Sequence, residues 1–228
     1  MITLDNLVTG YQGIPLSQPI SGTFTTGSMT AIIGANGTGK STLLRTLAGL
    51  QPPISGRIQR QAHTRLGWLP QQHALDHQFP ITVSDVVAMG CWPQRSMWSG
   101  VSREARQKIT TAMAQTGISH LGGQTIDTLS GGQFQRMLFA RLLVQDAPLL
   151  LMDEPFTGID SQTSQALLEL MIQLQQQGKT LLVVLHNLAM VQHAFAQTLC
   201  LHQGSHHWGA THNVADSLLL APQHQGVA

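Results

Sequence analysis

One nine-residue segment, residues 34–42 with the sequence GANGTGKST, restricts the possible folds of this chain more than any other feature. It fits the pattern G-x-x-x-x-G-K-[S/T] and stands between an apolar run and a helical pattern. In that strand–loop–helix setting, glycines let backbone N–H groups wrap around a phosphate. The sequence therefore predicts a phosphate loop, in which Lys40 reaches nucleotide phosphates and the Ser41 hydroxyl ligates magnesium. The predicted nucleotide-binding residues of this loop are Gly34, Ala35, Asn36, Gly37, Thr38, Gly39, Lys40, Ser41 and Thr42.

Two adjacent carboxylates, Asp153 and Glu154, follow a continuous apolar run at residues 149–152. Such a run is typical of a buried parallel strand, and ligands bind at the carboxyl edge of parallel sheets. The pair suits a division of labour in phosphoryl transfer, with Asp153 holding magnesium and Glu154 polarising the attacking water. The alternative interpretation is that the start of a helix simply favours acidic residues here.

His186 follows a second apolar run, residues 181–185. A lone histidine at a strand end is more often structural than catalytic. Here we predict that it emerges at the same sheet edge as Asp153, within reach of a γ-phosphate.

A second candidate anion site opens the helical run that follows Ser130. Ser130, Gly131 and Gly132 combine a hydroxyl with two bare backbone positions at a helix start, where the helix dipole favours an anion. The phosphate loop already serves this chain's own nucleotide. The second site is therefore predicted to act in trans, on another molecule.

The composition of the 228 residues limits the possible partners. Twelve basic and eleven acidic residues give a formal net charge of +1, and no basic stripe favours nucleic acid. Charged residues make up 10% of the chain, well below the usual level of about a quarter, as in proteins that cover part of their surface with a partner. The two cysteines lack metal-ligand spacing and are predicted to be free thiols in a reducing compartment. We expect neither secretion nor a membrane span, because no leader pattern and no sufficiently long apolar run occurs.

The order of elements predicts an α/β fold with a parallel-sheet core around the phosphate loop. Strand and helix patterns alternate along the chain, with strands at residues 2–8, 29–33, 66–69, 149–152 and 180–185 and helices at residues 41–50 and 161–177. A mainly helical stretch lies between the strands and is predicted to be an inserted subdomain. The whole chain, residues 1–228, is predicted to be a single domain, with a core at about 1–80 and 145–228 and a helical subdomain at about 81–144. A small antiparallel β part is expected at the N-terminal side.

These motifs, in this order, resemble the nucleotide-binding subunit of an ABC transporter over nearly the whole chain. The resemblance implies that residues 129–133 (LSGGQ), here called the signature segment, bind nucleotide through Ser130, Gly131, Gly132 and Gln133. In the family, two subunits close head-to-tail around two ATP molecules. Lys40 of one copy would then face Ser130 and Gly132 of the other copy.

The resemblance also implies roles for single residues. Tyr11 matches the aromatic residue that stacks on adenine, and Gln71 matches the glutamine that senses magnesium and the attacking water. Asp160 matches the dimer-communication loop, and His186 matches the switch histidine. Two positions depart from the family pattern: Asn187 stands where an aspartate is usual, and Phe134 stands where a polar residue is usual.

The implied cofactors are ATP and Mg²⁺. The implied partners are an integral membrane permease, a second copy of the chain and, indirectly, an extracytoplasmic substrate-binding protein. A subunit of this kind lies peripherally on the cytoplasmic face of the cell membrane.

The substrate is suggested by residues 76–90, which fit the run D-x-x-F-P-x-T-V-x-D-V-V-x-M-G found in the ATP-binding subunits of zinc and manganese importers. Energising zinc or manganese uptake is therefore the expected function. Importers of iron chelates, haem or cobalamin use related subunits and are the alternative. A non-transport ABC ATPase is the alternative from a different class, and the single cassette with near-zero net charge disfavours it.

Four histidines, His202, His206, His207 and His212, cluster near the C-terminus. Imidazole suits zinc, but no cysteine or acidic residue completes a set with zinc-site spacing. The expectation is therefore a solvated tail that is partly without ordered structure, and regulatory metal binding is the alternative.

Overall fold

The computed structural model describes residues 1–61, 64–71, 79–94, 102–202 and 205–214. The chain forms two compact units, one made of Met1–Ala62 with Leu182–Ala228 and the other of His63–Leu181. The strands are β1 (Ile2–Val8), β2 (Gly10–Tyr11), β3 (Ile14–Pro15), β4 (Ile20–Phe24), β5 (Met29–Gly34), β6 (Ser55–Arg60), β7 (Leu66–Leu69), β8 (Leu149–Asp153), β9 (Thr180–Val184), β10 (Gln197–His202) and β11 (Ser205–Ala210). The α-helices are α1 (Lys40–Ala48), α2 (Val83–Ala88), α3 (Arg103–Gln115), α4 (Gly131–Val144), α5 (Ser161–Gln176) and α6 (Leu188–Ala194).

A small antiparallel sheet opens the first unit. Its central strand is β1, which pairs with β4 on one side and β6 on the other. Buried positions alternate with more exposed ones along β1 and β4, apart from a bulge between Leu4 and Leu7. This alternation is the pattern of a sheet with one covered face. On that face the Phe24 ring packs against Trp208, with ring centroids 4.4 Å apart.

The first unit also contains a parallel strand pair that leads into the phosphate loop. β5 and β10 run side by side, with Gln197 opposite Thr30 and Leu201 opposite Gly34. All residues of β5 before Gly34 are buried, which explains why four of these five residues, all except Thr30, are apolar. The phosphate loop follows β5 directly, so it leaves from the carboxyl end of a parallel strand.

The second unit combines a parallel strand pair with most of the helices. Leu66 of β7 lies opposite Leu149 of β8, and the pairing continues to Leu69 and Met152. Both α2 and α3 pack against α4. The apolar residues that α4 buries are Phe134, Met137, Leu138, Phe139, Ala140, Leu142 and Val144. β8 is buried along its whole length, so Asp153 ends a buried strand whose other residues are all apolar.

The predicted α/β class, with parallel strands, helices and a small antiparallel part at the N-terminal side, is confirmed. The helices α2, α3 and α4 lie within the range predicted for the helical subdomain, whose limits stay a prediction. Asp76, the first residue of the importer-like run, lies outside the described residues. Within the described ranges, none of the helices has the length and hydropathy needed to span a bilayer.

The expectation of a solvated C-terminal tail is wrong for the described residues of that region. β10 and β11 form a hairpin, in which Cys200 lies opposite His207 and Leu201 lies opposite His206. The hairpin is ordered because β10 also pairs with β5 and buries Leu199, Cys200 and Leu201. The strand β10 was not predicted, because the histidines of this region interrupt the apolar pattern of the sequence.

Candidate functional site

The phosphate loop folds around the side chain of Lys40. This lysine is only 6% exposed, and its Nζ donates hydrogen bonds to the carbonyl oxygens of Gly34 and Ala35, each at 2.9 Å. The Thr38 hydroxyl donates to the same Ala35 carbonyl at 2.9 Å. The loop carbonyls therefore fix the ammonium group at the start of α1, where a cation complements a bound phosphate.

The N-terminus of α1 differs from those of the other described α-helices. Its N-cap is Gly39, which makes no side-chain capping hydrogen bond. Each of the helices α2 to α6 has a side-chain N-cap that accepts a backbone N–H, and these caps are Thr82, Ser102, Ser130, Asp160 and Asn187. The first N–H groups of a helix need a partner, and an anion can supply it. The loop residues therefore fit a phosphate group.

Gly34 at the end of β5 sits where no side chain fits. A Cβ there would lie 2.3 Å from the carbonyl oxygen of Leu201 and 2.9 Å from the Thr38 hydroxyl. The φ angle of Gly34 is +148°, which also disfavours a side chain. We expect Gly34→Ala to lower the free energy of unfolding by about 2–4 kcal/mol, because it adds backbone strain to a steric clash. Urea unfolding measures this change.

Gly209→Ala is the matched control for that substitution, because a Cβ at Gly209 would meet nothing within 4 Å. It should change the free energy of unfolding by less than about 1 kcal/mol. Equal stability of the two variants would contradict the close approach of β5 and β10 at Gly34.

Tyr11 lies at the tip of a hairpin in the same unit. β2 and β3 are joined by Gln12 and Gly13, both with positive φ (50° and 81°), as in the two-residue turns that suit hairpins. Three large apolar residues of this hairpin and its exit are exposed: Tyr11 at 59%, Ile14 at 65% and Leu16 at 36%. A Cβ at Gly39 would lie 3.3 Å from the Leu16 Cβ, so Leu16 borders the phosphate loop.

The exposed apolar hairpin fits a flat aromatic ligand next to the phosphate loop. Tyr11 was predicted from the sequence, whereas Ile14 and Leu16 were not. The Gln12–Gly13 turn between two apolar residues was the available signal for this hairpin.

In the second unit the structure brings Gln71 and Glu154 together. The Glu154 Oε2 atom accepts hydrogen bonds from Gln71 Nε2 at 3.0 Å and from the Thr157 hydroxyl at 3.2 Å. Glu154 has a φ of +51°, a conformation that non-glycine residues seldom adopt. Such conformations occur at functional sites, where the surrounding structure enforces them. The carboxylate is therefore fixed by its backbone and by two side-chain donors, of which Thr157 was not predicted.

Asp153 directly precedes Glu154 but has a different environment. It ends β8 and is only 1% exposed. A buried carboxylate requires polar partners or a cation. Its burial and its oxygen donors fit a hard divalent cation such as Mg²⁺.

The signature segment forms the N-terminus of α4. Ser130 is the N-cap, and its Oγ accepts the Gln133 backbone N–H at 3.3 Å. The Gln133 side chain accepts the Ser130 N–H at 2.9 Å, which completes a capping box. The next two residues are glycines. Because they have no side chains, the backbone at the start of α4 is accessible to an anion.

Asp160 lies next to the signature segment in the same unit. It caps α5, and its carboxylate accepts the Thr163 N–H and the Thr163 hydroxyl, each at 2.8 Å. These bonds from Thr163 lower the pKa of the Asp160 carboxyl below its ordinary value, so it stays ionised at neutral pH. A Cβ at Gly132 would lie 3.4 Å from Asp160 Oδ2. The second unit therefore brings two of the predicted groups into contact.

His186 follows β9 in the first unit and is exposed. Asn187, where the family usually has an aspartate, caps α6 by accepting the Met190 N–H at 3.1 Å. Asparagine and aspartate are about equally good N-caps. The departure from the family pattern therefore preserves the local fold after His186.

The hairpin formed by β10 and β11 gives no support for regulatory metal binding. Among the residues that the structure describes, no group of three or more His, Cys, Asp or Glu side chains could hold a metal ion. The Cys200 thiol lies 3.2 Å from His202 Nε2, but burial raises its pKa to about 11. Cys200 is therefore a neutral thiol at physiological pH, and the thiolate is the form that binds metals. Neither cysteine forms a disulfide, as predicted, and both side chains are buried.

Known proteins resemble this chain over most of its length. The family model described as ABC transporter matches residues 17–157. The manganese transport system ATP-binding protein MntB of Bacillus subtilis is 37% identical over 93% of this chain and 88% of its own length. The zinc transport system ATP-binding protein TroB of Treponema pallidum is 38% identical over 88% of this chain and 77% of its own length. The ferric enterobactin transport ATP-binding protein FepC of Escherichia coli is 36% identical over 88% of this chain and 78% of its own length.

Solved structures show the same fold. An inward-facing ABC transporter described as metal-chelate type shares 30% sequence identity, covers 93% of this chain and 84% of its own, and has a TM-score of 0.85. A dimeric bacterial ABC transporter cassette shares 24% identity, covers 91% of this chain and 98% of its own, and has a TM-score of 0.79. With the phosphate loop, the signature segment and the Asp153–Glu154 pair in family order, these matches show that the chain belongs to the ABC transporter family as an ATP-hydrolysing, ATP-binding cassette.

Proposed function

We propose that this cassette hydrolyses ATP to energise uptake of a divalent transition metal, zinc or manganese, through a separate membrane permease. The observation that carries the substrate is the 37–38% identity to manganese and zinc transport ATP-binding proteins over most of the chain. The cassette would lie on the cytoplasmic face of the membrane, and an extracytoplasmic binding protein would deliver the metal to the permease. The net charge of +1 supports no role in binding nucleic acid.

The phosphate loop is proposed to bind ATP through Lys40 and the first N–H groups of α1. Lys40 contributes a fixed positive charge, since two loop carbonyls hold its ammonium group. The other loop residues, Gly34 to Thr42, line the phosphates with backbone N–H groups. Tyr11 supplies a ring that stacks on adenine, and the exposed Ile14 and Leu16 extend that apolar surface.

Glu154 is proposed as the residue that polarises the attacking water. Its carboxylate has one orientation, because Gln71 and Thr157 both donate to the same oxygen. The carboxylate can then accept a proton from water. His186 is proposed to contact the γ-phosphate.

Asp153, Ser41 and Gln71 supply oxygen atoms suited to Mg²⁺ and are proposed to hold it, Asp153 through water. The ion, when bound, neutralises charge on the β- and γ-phosphates. Removal of Mg²⁺ by EDTA should therefore abolish hydrolysis.

A second copy of the chain is proposed to complete each nucleotide site. The signature residues Ser130, Gly131, Gly132 and Gln133 would contact the nucleotide held by the other copy, together with Asp160. The accessible backbone at the start of α4 supports this role. A dimeric cassette of the same fold also supports it.

Growth of a deletion strain under metal chelation tests the substrate. We expect high zinc or high manganese, added singly, to restore growth, because a metal importer is needed only when its ion is scarce. A plasmid carrying the gene should do the same, and one carrying the Glu154→Gln variant should not.

Rescue by an iron chelate or cobalamin alone would contradict the zinc or manganese assignment. It would favour the second candidate, an iron-chelate importer, which the 36% identity to FepC supports. The ATPase assignment would stand in that case.

A further inference from the structure

A buried threonine joins the signature helix to the loop that carries Asp160. Thr163 is 3% exposed, and its hydroxyl donates to Asp160 Oδ2 at 2.8 Å. The same hydroxyl oxygen accepts a hydrogen bond from Arg136 Nη2 at 2.9 Å. Arg136 belongs to α4, whose N-terminus is the signature segment. Three side chains from α4, α5 and the preceding loop therefore form one chain of hydrogen bonds.

The direction of these hydrogen bonds is fixed by their chemistry. The guanidinium group of Arg136 can only donate, and the ionised Asp160 carboxylate can only accept. The Thr163 hydroxyl has one hydrogen and two lone pairs, so it must accept from Arg136 and donate to Asp160. The charged donor at one end and the charged acceptor at the other strengthen both bonds.

Gly132 of the signature segment lies against this chain of hydrogen bonds. A Cβ at Gly132 would lie 3.4 Å from both Asp160 Oδ2 and Thr163 Oγ1. Arg136 lies at the other end of this chain of hydrogen bonds, near the C-terminus of α3. A Cβ at Gly117, which follows α3, would lie 3.4 Å from Arg136 Nη1. Arg136 is thus held between the end of α3 and the start of α5.

We propose that Arg136 and Thr163 are positioning residues, which hold Asp160 and the signature segment in one arrangement so that both meet the second copy of the chain together. This inference rests on the proposed function, in which both groups complete the nucleotide site of the partner copy. Thr163 donates two hydrogen bonds to the exposed Asp160 side chain, one from its backbone N–H and one from its hydroxyl. Without the hydroxyl, only the bond from the Thr163 N–H would remain of these two. The Asp160 loop and the start of α4 could then move independently, and fewer subunits would be ready to dimerise.

The test uses the full chain with Glu154→Gln, which is expected to slow hydrolysis and so preserve the ATP-bound state. Two pairs of variants are added to it: Thr163→Val with Thr163→Ser as control, and Arg136→Met with Arg136→Lys as control. Analytical ultracentrifugation with saturating MgATP gives the dimer dissociation constant. A fluorescent ATP analogue gives the nucleotide affinity of the monomer, and thermal unfolding shows that each variant is folded.

Thr163→Val should raise the dimer dissociation constant about tenfold, since it removes a hydrogen bond to a charged group. Thr163→Ser should stay within about threefold of the parent, because the hydroxyl remains. Nucleotide affinity of the monomer should not change in either variant. Arg136→Met should weaken dimerisation in the same direction, and the double variant should be no worse than Thr163→Val alone, because Arg136 acts through Thr163.

Two results would overturn the inference while the proposed function stands. One is dimerisation of Thr163→Val with the parent's dissociation constant, and the other is additive effects of Thr163→Val and Arg136→Met. If the Glu154→Gln parent itself fails to dimerise with ATP, the proposed two-copy site is wrong and the inference falls with it.

Discussion

Glu154→Gln is expected to lower kcat for ATP hydrolysis about 10³-fold, because it removes the group that accepts a proton from the attacking water. The glutamine side chain has the same shape, and its Oε1 can accept the bonds that Gln71 and Thr157 now donate to Glu154. The local structure should therefore persist, and the affinity for ATP should change little. Phosphate release over time measures the rate, and a fluorescent ATP analogue measures the affinity.

Glu169→Gln is the matched control for this prediction. Glu169 is an exposed carboxylate on α5 that accepts a hydrogen bond from Gln165, so the substitution removes one charge outside the proposed site. Its hydrolysis rate should stay within about twofold of the parent, as for most surface substitutions. If Glu154→Gln hydrolysed ATP at the parent rate, the proposed role of Glu154 would be wrong.

Lys40→Met is expected to weaken ATP binding by about 2–5 kcal/mol, the range for removing one partner of a buried, hydrogen-bonded charge pair. The substitution removes the charge proposed to face the phosphates. It also leaves the Gly34 and Ala35 carbonyls without the bonds that Lys40 donates. Isothermal titration calorimetry with MgATP measures the affinity, and thermal unfolding reports the accompanying loss of stability.

Lys179→Met controls for the loss of a hydrogen-bonded lysine. Lys179 donates to Asp146 at 2.9 Å in the loops around β8 and β9 and belongs to none of the proposed nucleotide contacts. Its replacement should leave ATP affinity unchanged. An ATP affinity of Lys40→Met within threefold of the parent would contradict the proposed phosphate loop contacts.

The parts of the site that the sequence could predict are short and local. The phosphate loop, the Asp153–Glu154 pair and the signature segment each lie within one run of residues that follows a strand or starts a helix. Their local conformation depends on residues adjacent in the sequence, as with the glycine at φ +148° and the serine N-cap. These segments therefore carry their own structural context.

The contacts that join these segments were not predictable in the same way. Gln71 and Glu154 are separated by 83 positions, and Arg136 and Thr163 by 27. Tertiary packing determines which polar side chains meet, as where the pairing of β7 with β8 precedes Gln71 and Glu154. Thr157 and Thr163 follow Glu154 and Asp160 by three residues each, and nothing in their residue type distinguishes them from other threonines.

The C-terminal part was mispredicted for a different reason. The histidines of β10 and β11 favoured a polar tail, whereas the pairing of β10 with β5 decides the structure. The central residues of β10 are buried because they contact β5, a strand more than 160 positions earlier by residue number. Tertiary pairing here overrides a weak local preference.

The most direct test of the two-copy site is the ATP hydrolysis rate per subunit, measured over a range of protein concentrations with the Glu154→Gln rate subtracted. We expect the rate per subunit to rise with concentration and to reach a plateau when dimers predominate, because each nucleotide needs the phosphate loop of one copy and the signature segment of another. A rate per subunit that stays constant on dilution into the monomeric range would show that one copy suffices, and would contradict the account.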